Sequence, residues 1–341
     1  MQPRRILVIN VSRIGDTLLA TPAIRALAAA WPEATVDVLG HPNRVEVLEH
    51  LPFVGRVGAI SKKSAPWRGW LARFAKPKPY DLAVVYGHDE ALVAYALRVA
   101  QRVAAFRQNS ERLNARLAVA VEPPAFQSDH AVRLALALTQ ALGAAPAGLR
   151  LSYAVTDAER AWAAATLAAD APADAKPLVG LQVASFPTKA YRDWPLDSFM
   201  ELCERIRQHW PHAHFLIFGG VAEHERTTAL KQRLGATATL YAGRLSLRQT
   251  GALMSRLDLY IGVDTGPTHL MSAFDIPLVG LYHGFSRSEL IAPLEHPCFF
   301  AVDHPRAGPD CPTEASMADI TVDTVFANVV NAMHSSNKYH D

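Results

Sequence analysis

The chain has 341 residues, half of them apolar and 19% charged, with a net charge of +2. That length suits two domains with separate cores, and the composition is that of a soluble globular protein. No apolar stretch approaches the roughly 20 residues of a membrane span, and three scattered cysteines (Cys203, Cys298, Cys311) without a Cys-x-x-Cys pair exclude a disulfide framework and read as buried filler.

Ile6–Val11 is a continuous β-branched apolar run, as expected of a strand covered on both faces. Arg13 and Asp16 follow at once, so the stretch is too short for a secretory signal, which predicts a cytoplasmic chain. A Gly-Asp turn leads into apolar residues at helical spacing over Thr17–Ala30. Thr35–Leu39, Leu82–Tyr86 and Arg102–Phe106 read as further strands, with helical stretches at Val45–His50, Ala91–Val99 and Val132–Leu142. This alternation predicts a parallel sheet covered by helices. It pauses where Ala144–Gly148 and Ala171–Pro177 flank Thr156-Asp157-Ala158-Glu159, which has the form of a capping box. Residues 1–155 are therefore assigned to a first domain, 156–176 to a connecting helix and linker, and 177–341 to a second domain. In the second, Leu178–Val183, His214–Phe218, Leu257–Val263 and Leu278–Leu281 are the strands. Helices are predicted to start near Pro195, Ala222, Leu247 and Thr265, and Val322–Met333 is a closing amphipathic helix. Two such lobes are expected to face a cleft, because open α/β sheets bind ligands beyond the C-terminal ends of their strands.

Charge separates the halves. Residues 1–150 hold 19 Lys and Arg against 11 Asp and Glu, net +8, and the remainder 15 against 21, net −6. The basic half is expected to meet something anionic.

The segment Asp264-Thr265-Gly266-Pro267-Thr268-His269 lies between a strand and a helix. Backbone N–H groups at such a helix start suit a phosphate or diphosphate; equally, Asp264 or Thr265 is an ordinary N-cap. Gly219-Gly220 leads into Glu223 and Glu225, carboxylates suited either to ribose hydroxyls or to the helix start. The loop Ala184–Pro195 offers Ser185, Thr188, Lys189 and Arg192 as phosphate donors or as solvated surface. Asp16 either caps the helix that follows or takes a proton from an attacking hydroxyl. Residues 62–78 hold six basic groups, Lys62, Lys63 and Arg68 among them, and no acid. Trp67, Trp70, Leu71 and Phe74 recur there at helical spacing, either as an interfacial face meeting anionic lipid or as a face docked on the sheet. His209, His212 and His214 read as surface, metal-ligand spacing is absent, and no nucleic-acid reading motif is present.

Four segments in order resemble the ADP-heptose–lipopolysaccharide heptosyltransferases, glycosyltransferase family 9. They are Arg5 to Leu27 around the Gly-Asp turn, Arg192-Asp193-Trp194-Pro195, Ile217 to Glu223, and Asp258 to Tyr282. The resemblance implies a GT-B fold of two Rossmann-like lobes, with acceptor on the first and nucleotide sugar on the second. It implies an inverting, metal-independent transferase without cofactor, moving a heptose from an ADP-sugar donor to a phosphorylated glycolipid acceptor, in peripheral contact with the inner face of the inner membrane. Asp16 is then the base. Asp264, Thr265, Gly266 and His269 hold the diphosphate, Glu223 the ribose, and Arg13, Lys62, Lys63 and Arg68 face acceptor or membrane. Arg192 stands where the family usually has Lys, with Lys189 one turn earlier. Tyr282-His283-Gly284-Phe285-Ser286 departs from the family's usual Phe-Gly-Pro-Thr. A sugar-nucleotide epimerase of the same fold and a non-catalytic nucleotide-sugar-binding protein are the alternatives.

Overall fold

The apolar runs that start each half are the innermost strands of two parallel sheets. The computed structural model describes residues 2–336, apart from 73, 75, 76 and 126, and divides after Ala154 into two compact units. The first unit's sheet has the order β3-β2-β1-β4-β5-β6. Its strands are β1 (Arg5–Asn10), β2 (Thr35–Gly40), β3 (Val57–Ala59), β4 (Tyr80–Tyr86), β5 (Ala100–Phe106) and β6 (Val119–Val121). The second unit's sheet has the order β12-β11-β10-β7-β8-β9. Its strands are β7 (Leu178–Gln182), β8 (His214–Phe218), β9 (Ala238–Leu240), β10 (Leu259–Val263), β11 (Leu278–Tyr282) and β12 (Phe299–Asp303). Both are the Rossmann order, with the direction of winding reversing between β1 and β4 and between β7 and β10. Val8 is in register with Val38 on one side and Val84 on the other, so Ile6 to Ile9 are wholly buried.

The four strands with no counterpart in the sequence reading, β3, β6, β9 and β12, are the four sheet edges. An edge strand is short and partly wet, so it carries no continuous apolar run. The helix expected over Thr17–Ala30 is two, Ile14–Leu19 and Thr21–Ala30, hinged at Ala20. Pro22 explains the break: it has no N–H to donate, and its ring would collide with the preceding turn.

The capping box is present: the Thr156 hydroxyl accepts from Glu159 N and the Glu159 carboxylate from Thr156 N. It opens helix Asp157–Asp170, which packs on helix Leu247–Met254 of the second unit through a Glu159–Arg248 ion pair at 2.6 Å. Burial pushes the Glu159 carboxyl up, but the bonds from Arg248 and Thr156 outweigh it and hold its pKa at about 2. All three cysteines are buried. His214 corrects the surface reading of the His209–His214 cluster: it is the first residue of β8, buried, with Nε2 at 2.8 Å from Thr239 Oγ1.

Glycines set the spacing of the second sheet. A Cβ on Gly262 of β10 would lie 2.7 Å from Tyr260 Cε1 and 3.0 Å from Thr268 Oγ1, both on buried side chains. Gly262→Ala is therefore expected to destabilise the protein by about 1–3 kcal/mol through overpacking, read as a lowered midpoint of thermal unfolding. No helix among the described residues is long and apolar enough to cross a membrane.

Candidate functional site

In the second unit the site lies beyond the C-terminal ends of β11, β10 and β7, which are neighbours in that order. Arg192, in the loop after β7, ties the three loops together. Its Nη1 lies 2.5 Å from Asp264 Oδ2, in the loop after β10, and donates to the Asp264 carbonyl at 3.3 Å. Its Nη2 donates to Ser286 Oγ, after β11, at 2.8 Å. A planar fork can hold these points at once; an ammonium is a single charge and cannot. Asp264 is only 2% exposed, so its carboxylate needs this partner, and His269 Nε2 approaches its other oxygen at 3.4 Å.

Thr265 is the N-cap of helix Gly266–Met271, but its hydroxyl caps nothing and lies 3.4 Å from Thr268 Oγ1. Thr268 donates to the Val263 carbonyl at 2.6 Å, locking the turn that presents Asp264, Thr265 and Gly266. The ordinary-cap alternative for this segment is thus met by residue position and not by side-chain bonds.

The loop after β7 divides its polar residues. Ser185 is buried, with its hydroxyl 2.7 Å from both the Lys189 carbonyl and Asp193 Oδ1, so it holds the loop's own shape. Thr188 is exposed. Lys189 extends its ammonium 5.6 Å from the centroid of the Tyr191 ring and has no carboxylate partner among the described residues. Burial alone would raise the Tyr191 hydroxyl, yet the bond from Arg192 and the charges of Arg192 and Lys189 lower it. Sequence reasoning missed Arg226, on helix His224–Leu234. Its half-buried guanidinium donates to the carbonyls of Val183 and Trp194, the two ends of the same loop. An arginine amid helix polarity gives no sign of such a partner.

Glu223 follows β8. Its Oε2 accepts from Gly220 N at 2.5 Å, and burial raises its carboxyl above the ordinary value despite that bond. Oε1 meets no side-chain partner among the described residues. Gly219 has φ of +156°, a backbone conformation that favours glycine, whereas a Cβ on Gly220 would sit 2.7 Å from Glu223 Oε2 and would displace that carboxylate from its bond.

The Tyr282–Ser286 departure is a built structure. His283 is wholly buried; its Nδ1 accepts from Phe285 N at 3.1 Å and its Nε2 lies 2.9 Å from the Ala315 carbonyl. That pairing requires the neutral ring, and burial, with the nearby charges of His304 and Arg192, lowers its pKa below 6.5. The unfolded chain then binds the proton more readily than the fold. The stabilisation is complete above about pH 6.5 and is lost as pH falls through the lower folded-state value. His283→Asn keeps an acceptor at this position and cannot titrate. The thermal midpoint of this variant is expected to fall less steeply than wild type between neutral and mildly acid pH.

In the first unit, the turn after β1 is organised by Ser12, which donates to Asn10 Oδ1 at 2.6 Å, and by Thr17, which donates to the Arg13 carbonyl at 2.8 Å. Arg13, exposed, is the N-cap of helix Ile14–Leu19. Asp16 is therefore the third helical residue and not the cap. It is exposed and makes no hydrogen bond or ion pair among the described residues. Lys62 and Lys63 follow β3 at the same C-terminal edge of this sheet; Lys62 pairs with Asp89 at 3.0 Å and Lys63 is exposed. Arg68 donates to the Ala59 carbonyl. Among the described residues no group of three His, Cys, Asp or Glu is placed to hold a metal ion.

Known proteins share this architecture. Lipopolysaccharide core heptosyltransferase OpsX of Haemophilus influenzae is 21% identical over 283 residues, spanning 82% of this chain and 79% of that protein. A family 9 glycosyltransferase from Veillonella parvula superposes with a TM-score of 0.83 over 97% of both chains at 18% identity. The E. coli heptosyltransferase WaaC with ADP superposes with a TM-score of 0.71 over 96% of this chain and 99% of that one, at 19% identity. These superpositions place the fold among GT-B heptosyltransferase structures, as the sequence resemblance implied. The profile of glycosyltransferase family 9 (heptosyltransferase) matches residues 78–311, more than half of the sequence, and the chain belongs to that family of glycosyltransferases.

Proposed function

We propose that the protein transfers a heptose from ADP-heptose to a lipopolysaccharide core or related phosphorylated glycolipid, with inversion and without a metal ion, at the inner face of the inner membrane. The observation that carries this reading is the division of labour between two cations in one loop. Arg192 is committed to Asp264 and Ser286, whereas Lys189, over the Tyr191 ring, has no carboxylate partner among the described residues. Asp264, Thr265, Gly266 and His269 frame the diphosphate, Lys189 supplies the countercharge, and Oε1 of Glu223 accepts from a ribose hydroxyl.

In this reaction Asp16 takes the proton of an acceptor hydroxyl as its oxygen bonds to the anomeric carbon. The bond from that carbon to the β-phosphate oxygen breaks, and the electron pair leaves with ADP, whose growing charge Lys189 stabilises. Arg13, Lys62, Lys63 and Arg68 attract the phosphorylated acceptor.

The test is ADP release from ADP-heptose with and without a core-lipopolysaccharide acceptor, in the presence of EDTA. Release that depends on acceptor, with product of inverted anomeric configuration by NMR, supports the reading. Conversion of the donor without acceptor indicates an epimerase, and tight donor binding without turnover a non-catalytic protein; either result overturns it.

A further inference from the structure

Helix Ala65–Ala72 docks by its small residues. Ala65 and Gly69 are buried, and a Cβ on Gly69 would lie 3.7 Å from Tyr95 Cα. The helix thus lies almost backbone to backbone on helix Glu90–Val99. The aromatic stripe cannot then be the docked face. Trp67 is 58% exposed, Trp70 53%, Leu71 49% and Phe74, just past the helix, 64%. They recur at i, i+3, i+4 and i+7, one stripe on the outer side. Trp70 and Phe74 meet edge to face with centroids 5.5 Å apart, which gives the stripe a preset shape.

We propose that this stripe is an interfacial anchor that inserts into a bilayer surface containing anionic phospholipid. This rests on the transferase reading only for where the protein works, and it adds the surface that holds it there. Charge complementarity selects the occupant. Residues 62–78 contain six basic groups and no acid, within a half-chain of net charge +8. Lys63 has no partner among the described residues, whereas Lys62 is paired with Asp89 and Arg68 donates to the Ala59 carbonyl. Lys78 is spent on the carbonyls of Leu97 and Ala100, and Arg73 and Lys76 lie outside the described residues. Tryptophan, amphipathic and broad, prefers the boundary between headgroups and acyl chains, and flanking lysines add attraction to anionic headgroups. A large exposed apolar patch with a basic rim fits such a surface.

The experiment is co-sedimentation of the intact chain with vesicles of equimolar phosphatidylglycerol and phosphatidylcholine, against phosphatidylcholine alone, with tryptophan emission recorded in parallel. Neither donor nor acceptor is present, so failure here leaves the transferase reading standing, and absence of transfer leaves this one standing. Partition into the anionic vesicles with blue-shifted emission is expected. W67S/W70S should weaken it about tenfold or more, and Lys63→Glu should weaken it and its salt dependence together. Wild-type indifference to the anionic vesicles overturns the proposal, as does undiminished partition of W67S/W70S. A concentration-dependent dimer abolished by W67S/W70S, without vesicle binding, overturns it in favour of a second copy as the occupant.

Discussion

Asp16→Asn is expected to slow sugar transfer by roughly 10²–10⁴-fold, the range for loss of a general base. Binding of ADP, whose proposed contacts all lie in the second unit, should stay essentially unchanged. The argument begins with what Asp16 does not do. It caps no helix and makes no hydrogen bond or ion pair among the described residues, while Ser12, Thr17 and Asn10 hold the turn without it. Asparagine keeps the size and cannot accept the proton. A structural role would instead show as a lowered thermal midpoint, which the same sample reports. Steady-state ADP release and calorimetric titration with ADP separate the outcomes, and full transfer by the variant removes Asp16 from the base role.

Arg192→Met is expected to cost stability as well as donor affinity. It leaves the buried Asp264 carboxylate with only His269 beside it. Removing one partner of a buried ion pair is strongly destabilising because the other charge stays behind; about 3 kcal/mol is expected here, or roughly 6–12 °C in thermal midpoint. It also unties the loops after β7, β10 and β11, so the affinity for ADP should fall. Arg192→Lys should recover part of the loss, since an ammonium reaches Asp264 or Ser286 but not both. A midpoint unchanged in Arg192→Met would show that the pair contributes nothing to the fold. Loss of stability with unchanged ADP affinity would show that the three loops hold their shape without it.

The site was legible in part. Residues near a strand end could be found from pattern alone, because an apolar run followed by small or polar residues marks the C-terminal edge of a parallel sheet. Asp16, Asp264, Glu223 and the loop from Ala184 to Pro195 were found that way. What each does there was not legible. Ser185 has the chemistry of a phosphate donor but turns inward to its own loop. Arg226, far along in sequence, grips both ends of that loop through carbonyls that no side-chain pattern reveals. Arg192 and Lys189 are three residues apart with the same formal charge, and only the position of Asp264 separates a structural guanidinium from an ammonium with no carboxylate partner among the described residues.

The alternation of buried strands and helices, the repeat of that architecture in two halves, and the family are all written in the order of the residues. Central strands are solvated on neither face, so their apolar runs are unmistakable. The edge strands emerge only in the fold, because their pairing depends on a neighbour distant in sequence. The outward face of helix Ala65–Ala72 is likewise decided by packing. Periodicity marks an apolar face, but whether protein or solvent meets it depends on what the other face can approach. Gly69 lets that small face come close to Tyr95, which leaves the tryptophans outside.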